Sequence, residues 1–229
     1  HLGDMRRALL FSLEALDGKS GLLKTDYIQG KKTTVVLPQK FGMQGNGWYD
    51  CNLTGTVNME ANVVFYQSLL AMIQLEKLAE EAGVDVGETS IRNPRPFDKG
   101  AKNIVYNYDV ETLTELAEKV KNTVRQDYDK GGLWNPQTGR FAWAIFDEGS
   151  ADGAKGEPMD YGHTEVNLTA IMCGLASEEQ TESILSWLDG TRIVEGDDST
   201  GEDIYFYEPH AVQLADGRII CHLRAENKA

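Results

Sequence analysis

Between Asn62 and Ile73 the chain carries only three polar residues, Asn62, Gln67 and Ser68. A helix on the surface of a small domain turns a polar face over much of its circumference to solvent. This segment has no such face. Polar residues return at Gln74, Glu76, Lys77, Glu80 and Glu81, and Gly83 supplies a C-terminal stop. The pattern predicts a helix that starts inside a larger helical assembly and emerges at its far end. Directly before it runs a glycine-rich loop, Gly47-Trp48-Tyr49-Asp50-Cys51-Asn52, which sets a carboxylate beside two aromatic rings.

Other helices follow from caps and periodicity. Asp4 caps a first helix to Leu16, with Met5, Leu9, Leu13 and Leu16 on one stripe and Gly18 ending it. Asp109 caps another, whose stripe of Val110, Leu113, Leu116, Ala117, Val120 and Val124 is amphipathic and suits an outer layer. Thr164 to Leu175 reads as a second apolar helix. Ser177 with Gln180 forms a capping box for Glu178 to Leu188, closed by Gly190.

Between the helices, Gly21 to Leu37 reads as short strands around Gln29-Gly30, and Leu133 to Ile145 as a hairpin about a turn begun by Pro136. Val84 to Tyr108, with Pro94, Pro96 and Gly100, reads as an irregular connection, and Gly196 to Tyr207 as an acidic loop. At the end, Val212 to Leu223 alternates across Asp216-Gly217, a hairpin signature. The expected organisation is a mainly α domain over residues 1–207 and a β-hairpin tail over 208–229.

Charge narrows the partners. A net charge of −14 leaves no basic stripe to neutralise phosphates, which excludes nucleic acid and disfavours anionic membranes. No apolar run approaches the ~18 residues needed to span a bilayer, and the opening residues lack the pattern of a signal peptide. A mature exported chain would read the same way, so the compartment stays open. Cys51, Cys173 and Cys221 show neither metal-ligand spacing nor a disulfide framework, and Cys173 reads as a buried thiol. Two sequons, at Asn52 and Asn167, are short enough to arise by chance.

Several segments together resemble the six-hairpin (alpha/alpha toroid) glycosidase superfamily, in its rhamnosidase-like, debranching-enzyme-like and glucoamylase-like branches. They are Gly47-Trp48-Tyr49-Asp50; Asn62-Val63-Val64-Phe65-Tyr66 running to Ala82-Gly83; Leu133-Trp134-Asn135 with Thr138-Gly139-Arg140-Phe141; Asp160 to Asn167; and Gly174 to Gln180 with Trp187-Leu188-Asp189-Gly190. The resemblance covers roughly Leu9 to Tyr207. It implies a helical-hairpin array that hydrolyses a neutral oligosaccharide with paired carboxylates and without cofactor or metal. A closed ring needs more than ~300 residues at roughly 50–60 per hairpin. This chain supplies three or four, so the expected array is incomplete, and self-association or a partner chain would cover its apolar faces. The tail, Glu208-Pro209-His210 with Asp216-Gly217-Arg218-Ile219, resembles a segment of a sialidase-type propeller, from which no function is carried over.

The carboxylates such chemistry needs are a general acid and a base or nucleophile. Asp50 is the leading acid candidate: Trp48 and Tyr49 could hold sugar faces and desolvate it. The alternatives are a sugar-hydroxyl contact or a turn cap. Asp160, His163 and Glu165 cluster before the second apolar helix, and Asp160 or Glu165 is the candidate base. His163 with those carboxylates makes an incomplete metal set. Glu60 opens the first apolar helix, as substrate contact or as a plain helix-start carboxylate. Trp134, Trp143, Tyr161 and Tyr205 complete the expected sugar-binding residues, while Trp187 reads as core. An inactive or truncated carbohydrate-binding or assembly module of the same fold is the alternative function. An epimerase of this kind would need histidine acids and bases, and the chain has four histidines.

Overall fold

The computed structural model describes residues 1–24, 27–28, 31–32, 57–93, 102–145, 155–195, 197, 204–213 and 219–227. It is mainly helical. Helices α1 (Leu2–Ala15), α2 (Met59–Glu81), α3 (Val110–Val124), α4 (Thr164–Met172) and α5 (Glu178–Leu188) form its body. Short antiparallel pairs decorate the connections: β1 (Tyr27–Ile28) with β2 (Lys31–Lys32), β3 (Ser90–Ile91) with β4 (Ile104–Val105), β5 (Trp134–Asn135) with β6 (Arg140–Phe141), and β7 (Ala144–Ile145) with β8 (Pro158–Met159). A longer hairpin, β9 (Ile204–Gln213) with β10 (Ile219–Asn227), closes the chain. No helix among the described residues is long and apolar enough to cross a membrane.

The local signals act where they stand. Asp109 accepts from the Thr112 amide at 2.8 Å, and the Thr112 hydroxyl accepts from the Asp109 amide, so α3 opens on a full capping box. Ser177 and Gln180 do the same for α5. Leu113, Leu116, Ala117, Val120 and Val124 face inward along α3, which packs against α2. α1 begins at Leu2, so Asp4 lies in its first turn instead of capping it.

Helix α2 is not apolar all round in the folded chain. Met59, Val63, Phe65, Tyr66, Leu69, Met72 and Ile73 are buried, while Val64, Gln67, Ser68, Ala71 and Gln74 are exposed. Its expected polar end is likewise different. Glu76 is only 4% exposed. Its carboxylate accepts from Arg6 Nε at 2.8 Å and Nη2 at 2.6 Å, and from the Tyr106 hydroxyl at 3.1 Å. The Arg6 guanidinium also lies 5.2 Å from the Tyr106 ring centre. Burial, and then the Glu76 charge, push the Tyr106 phenol far up from its ordinary value. This knot ties α1, α2 and the segment after β4 together.

Two units of the chain are built alike. After α1 comes a 3₁₀ turn at Gly18–Ser20, then Gly21 at φ 105°, then Leu22-Leu23. After α3 comes a 3₁₀ turn at Tyr128–Lys130, then Gly131 at φ 93°, then Gly132-Leu133-Trp134. At Gly132 a Cβ would lie 2.0 Å from the Gln126 carbonyl oxygen, so no other residue fits there. Each unit then leads into an inner helix, α2 or α4, whose fourth residue is a fully buried asparagine. Asn62 accepts from the Leu23 amide at 2.7 Å and donates to the Leu23 carbonyl at 3.2 Å. Asn167 accepts from the Phe141 amide at 2.9 Å and donates to the Phe141 carbonyl at 3.3 Å. Each carboxamide pairs with one extended residue as a neighbouring strand would. Because Asn167 is 0% exposed, its sequon is closed to modification.

Other expectations are revised. Val84 to Tyr108 contains the β3–β4 pair, and β9 starts at Ile204, so Tyr205-Phe206-Tyr207 belong to a strand and not to a loop. Cys173 is half-buried, with Sγ 3.7 Å from the Ala170 carbonyl, and burial pushes its thiol up.

Candidate functional site

Strand β7 and the residue before it join the start of α2 to β8, the strand that leads toward α4. The Trp143 carbonyl accepts from the Met59 amide at 2.7 Å, and its amide donates to Met159 at 2.9 Å. Ile145 donates to Val57 at 3.0 Å, and Asn58 bridges to Ala144. Met59 is the first residue of α2, and Met159 lies on the approach to α4. A single extended segment therefore holds the first residue of α2 and, through β8, the approach to α4; helix N-termini present backbone N–H groups that favour oxygen ligands.

The Trp143 ring is 3% exposed and lies 4.7 Å from the His163 ring, tilted by 51°. Tyr161 stands edge-on to His163 at 6.2 Å and is 58% exposed. His163 is the N-cap of α4, and exposed Glu165 lies in that helix's first turn. Trp143, Tyr161 and His163 thus come together as an aromatic and imidazole cluster, with the Glu165 carboxylate two residues along in the first turn of α4. Beside it, Asn58 caps α2 by accepting from Ala61 at 2.8 Å. Its buried Nδ2 has no hydrogen-bond partner. An orphaned buried donor costs about 1–3 kcal/mol, which a water or ligand oxygen would relieve.

Asp160 lies next to this cluster in another role. Its Oδ2 accepts from Asn135 Nδ2 at 2.9 Å and from the Thr138 hydroxyl at 2.5 Å. Its Oδ1 accepts from Arg140 Nε at 2.6 Å and from the Gly162 amide at 3.2 Å. A carboxylate has about four lone-pair positions, and here four donors use them. That geometry favours an anchor over a base. Arg140, 1% exposed, also pairs in a fork with Asp197 through Nη1 and Nη2 and lies 4.5 Å from the Trp187 ring centre. Trp187 Nε1 donates to Asp197 at 2.9 Å. Burial alone would push Asp197 up, but the Arg140 hydrogen bond and charge, with the Trp187 N–H, hold it below the usual carboxylate range. Asp197 is therefore part of a built network and not simply a solvated acidic residue. Trp187 is half-buried and shares in it.

The remaining candidates lie apart. Glu60 lines a groove of about 490 Å³ between α1 and α2, with Met5, Leu9, Val64 and Met72. Trp134 packs edge-on against Phe141 at 5.1 Å, beside the core. Trp48, Tyr49 and Asp50 lie outside the described residues, and of Tyr205 only its place in β9 is given. Among the described residues no group of three or more His, Cys, Asp or Glu could hold a metal ion.

No protein-family model, curated protein or solved structure matches this chain. The reading of the site rests on its own residues.

The asparagine pair and the Arg140 network escaped sequence reasoning. A signal for the first was present. Met59-Glu60-Ala61-Asn62-Val63 and Thr164-Glu165-Val166-Asn167-Leu168 share Glu-x-Asn followed by an aliphatic residue, at the same point of two helices. Glu60 and Glu165 are thus equivalent positions of an internal repeat. Nothing local marks Arg140, because its partners come from 20 and 57 residues away.

Proposed function

We propose that this chain is a helical-hairpin array of the toroid type, incomplete as a ring, that hydrolyses glycosidic bonds in a neutral oligosaccharide. The observation that carries the reading is the cluster at the start of α4. Tyr161 offers an exposed ring face of the kind that packs on sugars, His163 offers a polar edge backed by the buried Trp143 ring, and Glu165 places an exposed carboxylate in the next turn. In this reading Glu165 is the base and Asp50 the acid, Asp160 anchors the loop that holds Tyr161, and no cofactor takes part. Glu60, at the repeat-equivalent position, serves the groove between α1 and α2.

The geometry of Asp160 gives weight to a second reading, a carbohydrate-binding module without turnover. With all four acceptor positions of that carboxylate engaged, Glu165 is the one carboxylate left beside the cluster for acid–base work among the described residues. Hydrolysis of a panel of aryl glycosides over about pH 4 to 8 tests both readings. General acid–base groups contribute about 10²- to 10⁴-fold, so Asp50→Asn and Glu165→Gln should each lose turnover on that scale. Sugar binding without turnover, lost in Tyr161→Ala, would select the binding module. Neither turnover nor binding would end both readings.

A further inference from the structure

We infer that the face formed by α1 and α2 is the interface of a two-fold dimer, in which α2 from a second copy of this chain lies antiparallel in the groove between them. The inference rests on the internal repeat and not on the hydrolytic reading. The groove has a volume of about 490 Å³, and Met5 and Ala8 of α1 form one of its walls. On the outer side of α2, Val64 is 56% exposed and Leu78 59%. The ends of a repeat array are ordinarily closed by units with a polar outer face. This end is apolar.

The second unit covers the matching face. With Asn62 aligned to Asn167, the α2 residues Ala61, Phe65 and Ser68 correspond to Val166, Ala170 and Cys173 after it. Val166 and Ala170 are buried, and α4 packs on α2. The Tyr66 phenol of α2 is pushed up first by burial, then by Glu118 on α3 and by Cys173, which sets Cys173 beside α2. An inner helix therefore covers this face in the second unit, and the same face of α2 is left for a helix from another chain.

Helix α2 itself has the residues to fill the seat. Ala61, Val64, Ser68, Ala71, Leu75 and Leu78 follow the alternating three- and four-residue spacing of a coiled-coil seam. That seam is complementary to its own reverse. Set antiparallel about the midpoint between Ser68 and Ala71, it places Ala61 against Leu78, Val64 against Leu75, and Ser68 against Ala71. Small side chains meet larger ones toward the ends, and two small ones meet at the centre, so the layers interdigitate evenly. Charge sets the conditions. Gln67 and Gln74 flank the seam, with Glu60 and Glu81 seven residues further out at either end. The antiparallel setting brings Glu60 near Glu81 of the partner subunit. Those like charges, and −14 on each chain, oppose association until salt screens them.

The test is sedimentation velocity of the full chain over about 1–100 μM, at low and high salt. The expected result is a monomer–dimer equilibrium that tightens with salt. Val64→Glu and Ala71→Glu lie at exposed positions, and circular dichroism checks that they fold as wild type does. Each would bury two unpaired charges in the two-fold dimer and should weaken it at least about a hundredfold. Met172→Glu, on the exposed side of α4, should leave it unchanged. Glu81→Lys should tighten it about two- to tenfold by setting opposite charges across the ends. A chain that stays monomeric over the whole range overturns the proposal. So does a dimer indifferent to Val64→Glu and Ala71→Glu, one that Met172→Glu disrupts equally, or one that Glu81→Lys fails to tighten.

Discussion

Replacing Asn62 by alanine separates the two repeated units' architecture from mere helix packing. Asn62 is 0% exposed and sits one turn into α2. Its Oδ1 receives the Leu23 amide at 2.7 Å, and its Nδ2 serves the Leu23 carbonyl at 3.2 Å and the Asn58 carbonyl at 2.8 Å. The Asn58 carbonyl also receives the Asn62 amide at 3.3 Å, so it keeps one bond after truncation. Leu23 is 7% exposed and loses the carboxamide partner of both its backbone groups. Two orphaned buried groups at about 1–3 kcal/mol each give a cost of about 2–6 kcal/mol. For a chain of this length that is a drop in melting temperature of roughly 4–24 °C, at about 2–4 °C per kcal/mol. Asn167→Ala, with the same contacts to Phe141, should cost a similar amount. Gln67→Ala, on the exposed face of the same helix, should stay within about 0.5 kcal/mol. Urea unfolding followed by circular dichroism reads all three. If either asparagine variant loses less than about 1 kcal/mol with an unchanged denaturant slope, the carboxamides do not hold the extended segments in place.

Two further outcomes rest on the Arg140 network. Arg140→Met leaves the Asp160 carboxylate, 6% exposed, and the Asp197 carboxylate without their shared cation; breaking such a pair costs about 3–5 kcal/mol, and a loss below about 1 kcal/mol in urea unfolding would contradict it. The acid limb of stability tests the same contact by a different route. Asp197 is held below its unfolded value of about 3.9, so its contribution is complete above that value and is lost as pH falls through the lower, folded one. Asp109 and Asp189, each lowered by hydrogen bonds from a threonine, have the same sign. Wild-type melting temperature should therefore fall more steeply below about pH 4 than that of Arg140→Met, and parallel curves would show that Arg140 does not set the behaviour of Asp197.

Features that depend on a few neighbouring residues were legible without the fold. The caps at Asp109 and Ser177, and the left-handed glycines Gly83 and Gly190 that close α2 and α5, involve groups within about one helical turn, so any chain with those residues makes them. The buried stripe of α3 was legible for the same reason; short strands about Gln29-Gly30 were expected, but not the register that pairs Tyr27 with Lys32. The site was only partly so. Tyr161, His163 and Glu165 are neighbours in sequence, but their meeting with Trp143 depends on β7 running between the starts of α2 and α4. Glu76 read as the solvent end of its helix because its partner, Arg6, stands 70 residues away. Asp160 read as a candidate base because Arg140 and Asn135 approach it from another strand pair. Sequence pattern determined where backbone groups are satisfied locally. Only the tertiary structure decided which charges and amides meet, because burial obliges a polar group to find a partner without specifying where in the chain that partner lies.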